Sequence, residues 1–205
     1  MRTSWPLSAW LAAAVVAHLA ADSAIQLAPL PQTLQFYGPI VVYAVPAALG
    51  LAATGRLTPW KAAAWAVLVA LAHSAAVFVT FKATPGYNEP IWMLGPAGAL
   101  GGLVGAAPTL LGLVALGRAK PSRQTLLWAA GGSAVLGMLG GGLCLAFFAA
   151  VDLLHQLALP VVLYLPWQVV FSLLVARISP APAGSSAGPA RPARPRPGSP
   201  SPEPR

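Results

Sequence analysis

The chain has 205 residues, 57% of them hydrophobic and only 8% charged, and its mean hydropathy is +0.71. A soluble domain carries about 25% charged residues; this chain has too few to cover a water-facing surface, so part of its solvent must be lipid. The net charge of +8 would suit a nucleic-acid partner, but the basic residues sit at the ends of apolar runs and in the C-terminal tail, not on one globular face, which argues against nucleic acid and for the lipid bilayer.

A helix crossing the ~30 Å hydrocarbon layer needs about 20 apolar residues. Six runs meet or approach that length: 7–26, 38–55, 62–81, 92–117, 125–150 and 157–177. The predicted fold class is an all-α integral membrane protein with six transmembrane helices. It divides into a six-span transmembrane domain, 1–178, and a disordered Pro/Arg-rich cytoplasmic tail, 179–205.

The first run holds "AAVVAHLAADSAI", residues 13–25, with His18 and Asp22 four residues apart. Residues i and i+4 share a helix face, so the two can hydrogen-bond to each other. Counted from Leu7, His18 lies roughly 17 Å and Asp22 roughly 23 Å along the helix. Arg2 ahead of an apolar run also fits a secretory signal peptide. No clean A-x-A site follows and five further runs come after, so the run is read as a retained first helix.

The second run ends in "PAALGLAATGRLTPWK", residues 46–61, and the fourth in "PTLLGLVALGRAKPSR", residues 108–123. The offset is 62 and eight positions are identical. The sixth run ends "ARISP", so Arg56, Arg118 and Arg177 each close an even-numbered helix and Pro59, Pro121 and Pro180 are each expected to stop it. Two readings stand. Any inner boundary favours an arginine that snorkels and a proline that ends a helix. Alternatively, a helical hairpin of about 60 residues is used three times, related by an axis along the membrane normal. The even runs also carry Pro46, Pro108, and Pro160 with Pro166. Each removes a backbone donor and can bend its helix beside a cavity.

The third run carries His73, about 18 Å from Lys61 and nearly level with His18. Glu89 follows in the loop "TPGYNEP". Runs four and five contain Gly101 with Gly105, and Gly137 with Gly141. This G-x-x-x-G spacing predicts close packing of the two helices, because packing rather than hydrophobicity drives association in lipid. Asp152 and His155 fall at the end of run five. The lone cysteine, Cys144, cannot form an internal disulfide and belongs to no zinc-like Cys/His cluster.

Charge fixes the expected orientation. With the N-terminus inside, eleven basic residues lie on the inner side and only Lys82 on the outer, a strong positive-inside bias. Nine arginines against three lysines, with abundant Ala, Gly and Pro, reflect a GC-rich bacterial genome, hence a bacterial cytoplasmic (inner) membrane with both termini cytoplasmic. Trp5, Tyr37, Trp60, Tyr87, Trp92 and Trp128 flank the runs as interfacial anchors do.

Two soluble-enzyme motifs fail on context. "GSSAG", 184–188, matches the G-x-S-x-G elbow but lies in a Pro/Ser/Arg-rich tail, where no strand-to-helix turn can expose the serine. "GLVALGRAK", 112–120, lacks the Gly-Lys-Ser/Thr end of a phosphate loop.

The candidate binding residues are therefore His18, Asp22 and His73 in the deep part and Glu89, Asp152 and His155 at an outward mouth. Ionisable groups inside a membrane are functional candidates by default. The leading expectation is a small transport or substrate-binding subunit with an acidic, histidine-lined cavity for a cation or small polar molecule. In size and span count it resembles, in outline only, the substrate-binding subunits of vitamin and metal uptake systems, which implies a membrane-protein partner subunit. A membrane-embedded enzyme is a second reading, since two histidines and a carboxylate can hold zinc. A structural subunit is a third, its polar residues serving only to join helices. No cofactor is specified by any motif.

Overall fold

The structure, a computed structural model, describes residues 5–27, 32–84, 90–117, 121–150 and 159–179. Among them there are six α-helices and no strand: α1 (Leu7–Leu27), α2 (Gln32–Ala53), α3 (Pro59–Ala83), α4 (Leu94–Gly117), α5 (Arg123–Ala150) and α6 (Leu159–Ile178), with one 3-10 turn at Ile91–Met93. Four stretches are long and apolar enough to cross a membrane: Leu7–Ile25, Pro59–Ala83, Ile91–Gly117 and Arg123–Phe147. Within α2 and α6 the apolar stretches described are shorter, Ile40–Ala53 and Tyr164–Ile178.

The exterior is as greasy as the interior. Val16, Leu71, Phe78, Met138 and Leu173 are all more than half exposed. A helix apolar on every side belongs in a protein core or in lipid, and among the described residues nothing covers these faces. Trp5, Trp60, Trp92 and Trp128 are exposed near helix ends, where an amphipathic ring can reach an interface.

The helices form a closed ring in chain order. Each packs on its sequence neighbours, α6 returns to α1, and α4 also touches α6. The interior is filled by side chains, with Tyr43, Leu51, Trp65, Leu110, Leu113, Leu136 and Phe171 almost fully buried. Trp65 reaches from α3 to donate its indole N–H to the Thr109 carbonyl of α4 at 3.0 Å, so this large ring is buried without leaving a polar atom unsatisfied.

The α2–α3 corner shows how α2 ends, and there it corrects the expected role of the proline. Gly55 has φ of 70°, and the Gly55 and Arg56 amides return to the Ala52 and Leu51 carbonyls at 2.9 Å each. This is a Schellman stop, and it needs a residue that tolerates the left-handed region. Pro59 instead opens α3 at its first turn, behind an extended Thr58, where the missing N–H matters least. In the matching segment Pro121 likewise precedes a helix. Ser122 caps α5, accepting the Thr125 amide at 3.1 Å. At the α2–α3 corner, then, glycine ends one helix and proline begins the next. Pro180 lies outside the described residues.

The α4–α5 seam also differs from expectation in one half. Gly137 and Gly141 do face α4, where they meet Ala99 and Leu103, and Gly95 and Ala99, while the α4 glycines turned to α5 are Gly95, Gly98 and Gly102. A Cβ at Gly98 would stand 2.6 Å from Gly140 O, and one at Gly102 would stand 2.6 Å from Leu136 O. Gly101 and Gly105 turn instead towards Thr80 and Ala76 of α3. A helix advances about 100° per residue, so neighbouring glycines serve different partners.

The two matching segments occupy similar surroundings. Gly50 in α2 accepts Trp10 from α1, and its counterpart Gly112 in α4 accepts Leu68 from α3. Leu51 and Leu113 are both fully buried, while Leu49 and Leu111 both point outward. Pro108 and Pro166 lie on exposed faces and do not line the interior.

Candidate functional site

His18 and Asp22 are buried, at 1% and 4% exposure, on the stripe of α1 that also carries Leu11 and Ala14. That face meets α2 and α6, the two neighbours of α1 in the ring. The imidazole lies between two phenol rings. Tyr43 of α2 stands with its centroid 6.5 Å away and the rings at 82°, and Tyr164 of α6 is 5.6 Å away at 71°. Asp22, one turn further along, lies within electrostatic reach of the Tyr164 phenol.

The α6 side of the junction is a polar stripe. Tyr164, Gln168 and Ser172 are spaced by four residues, so they stack on one face. Ser172 exchanges a hydrogen bond of 2.9 Å with the Tyr43 hydroxyl, across 129 residues of sequence. Gln168 is only 3% exposed, and among the described residues its Oε1 meets no hydrogen-bond donor. A buried amide oxygen without a donor is unfavourable by about 1–3 kcal/mol, which makes it the clearest invitation to a ligand here. Aromatic faces complete the wall: Trp167 stacks on Phe171 at 5.1 Å, and Phe171 lies 6.0 Å from Tyr43.

Depth along the helices puts these groups in order. Measured from the helix ends beside Arg56 and Arg177, at 1.5 Å per residue, Ser172 lies about 9 Å in, Gln168 and Tyr43 about 15 Å, His18 about 17 Å, and Tyr164 and Asp22 about 21–23 Å. The result is a ladder through the middle of the bundle, with the carboxylate at its far end. Its groups are rich in acceptors: a carboxylate, an amide carbonyl, and hydroxyl and imidazole groups that can accept or donate. A guest that brings N–H donors or positive charge is complementary, and aromatic faces favour such a guest as well.

The structure does not bring His73 to this junction. It is half-buried on α3, which packs on α2 and α4, and among the described residues α1 and α3 are not neighbours. Glu89, Asp152 and His155 lie outside the described residues. Among the described residues no group of three His, Cys, Asp or Glu side chains is arranged to hold a metal ion. Cys144 is a buried free thiol packed at the α4–α5 seam, where its Cβ lies in the path of any side chain at Gly98.

Sequence reading attended to charges and histidines and so passed over Tyr43, Tyr164, Gln168 and Ser172. The signal was present: "YLPWQVVFS", 164–172, sets three hydrogen-bonding side chains four apart in an otherwise apolar helix. Nothing comparable marks Tyr43, whose role depends on where α2 stands in the ring. The chain matches no family model, curated protein or solved structure.

Proposed function

We propose that this chain is a six-span bacterial inner-membrane protein with both termini cytoplasmic, serving as a small transport or substrate-binding subunit for a cation or small polar molecule. The site of recognition is the α1–α2–α6 junction. The observation that carries the reading is the burial of His18 and Asp22 at mid-bundle against Tyr43, Tyr164 and the donor-less Gln168 carbonyl. Residues kept only to glue helices should satisfy one another, as Tyr43 and Ser172 do. Gln168 Oε1 departs from that rule. Glu89, Asp152 and His155 remain the proposed outward mouth on sequence grounds. The shared surroundings of Gly50 and Gly112 support a repeated hairpin for the first two copies.

The test uses the purified full chain in liposomes, with uptake of radiolabelled methylammonium and of rubidium followed at several pH values. Wild-type uptake should be lost in Asp22→Asn and weakened in Gln168→Leu, with helical content unchanged by circular dichroism. Uptake by Asp22→Asn equal to wild type would refute the site. Absence of uptake of either probe by wild-type protein would turn the reading towards an accessory subunit.

A further inference from the structure

On the outside of the ring, α5 and α6 leave an open groove of about 620 Å³. Leu127, Gly131, Val135, Val170 and Leu174 line its apolar length, and Trp128 and Gln124 lie towards one end. Gly131 makes the notch, since a Cβ there would meet nothing within 4 Å. At the Gln124 end the Arg177 guanidinium rests over the Trp128 ring, 5.4 Å from its centroid. Arg177 and Arg123 are both exposed at this end, and Asp22, far along the bundle, is the one carboxylate among the described residues.

We infer that this groove binds an anionic phospholipid, its headgroup phosphate on Arg177 and one acyl chain against Gly131. Two features select that occupant. The groove runs from Gln124 to Val135, eleven residues, or about 16 Å along a helix. That is close to half of a ~30 Å hydrocarbon layer, the depth of one leaflet. A partner helix or a second copy would need a face continuing across the layer. Charge selects as well. The apolar trough opens onto a cation that a tryptophan holds in place, with no carboxylate of the described residues nearby to neutralise it. The inference rests on the membrane reading of the helices and is independent of the polar junction.

The experiment is native mass spectrometry of the full chain in non-ionic detergent, titrated with phosphatidylglycerol and, separately, phosphatidylcholine. Wild type should retain phosphatidylglycerol in preference. Arg177→Gln should weaken phosphatidylglycerol about fivefold, the worth of one basic residue at an anionic surface, and leave phosphatidylcholine unchanged. Gly131→Leu projects into empty space, so it should fold normally, fill the trough and weaken both lipids. Equal retention of the two lipids by wild type overturns the inference, as does phosphatidylglycerol binding unaltered by Gly131→Leu. A dimer signal that Gly131→Leu abolishes overturns it too, by assigning the groove to a second copy.

Discussion

The α4–α5 seam and the α1–α2–α6 junction solve the same problem in opposite ways. At the seam, glycines strip away side chains until backbone meets backbone, and a Cβ at Gly140 would lie 2.7 Å from Gly98 O. At the junction, large aromatic and polar side chains hold the helices together from a distance, and Tyr43 must cross the ring interior to reach Ser172. The first leaves no room for a guest, and its one titratable side chain in contact with the glycines is the buried thiol of Cys144. The second assembles a carboxylate, an imidazole and an amide carbonyl that meets no donor among the described residues. In lipid, where apolar burial does not distinguish helix from solvent, close packing is what stability has to work with. The seam therefore reads as scaffold, and the junction is where the proposed binding of a guest would act.

Substitutions can break this contrast in order of expected effect. Gly98→Ala drives a methyl into Cys144 Cβ at 2.5 Å and into the Gly140 carbonyl. Overpacking of this kind destabilises by about 1–3 kcal/mol, visible as a lower midpoint of thermal unfolding in detergent. An unchanged midpoint would mean the seam is not rigid. Trp65→Phe removes the donor to Thr109 O and should lower stability by about 1 kcal/mol in the same assay. At the junction, a double-mutant cycle of Tyr43→Phe with Ser172→Ala should return a coupling near 0.6 kcal/mol, the usual size for hydrogen bonds between membrane helices. Gln168→Leu sharpens the comparison most. It removes an amide oxygen that meets no donor among the described residues, so stability should hold or rise while uptake falls. A loss of both together would make Gln168 ordinary packing. Gly131→Ala, facing open space, should stay within ~0.5 kcal/mol of wild type.

Much of the helical layout was legible in the residues. Hydropathy located all six helices, because a long apolar run admits no other backbone in lipid. The start of α2 at Gln32, six residues before the apolar run, was hidden by Gln32 and Gln35, which a helix end tolerates but hydropathy penalises. Which face meets which neighbour was not legible. A four-residue spacing says that His18 and Asp22 share a face, yet not that Tyr43 and Tyr164 stand opposite, nor that α3 would carry His73 to another side of the ring. In a soluble helix the apolar stripe points at the core. Here inside and outside are both apolar, and the pattern that would orient each helix is missing. Gly101 and Gly98 illustrate the consequence: both are small, three residues apart, and only the fold decides which one touches α5.

The hydrogen bond between Tyr43 and Ser172 joins the second helix to the last. Chains emerge from the ribosome N-terminus first, at about 5–20 residues per second. His18, Asp22 and Tyr43 must therefore wait, inserted and half-built, until the final helix arrives and closes the ring. A product ending before residue 159 would retain the glycine seam and lack the junction altogether, so the proposed recognition site is the last thing biosynthesis completes.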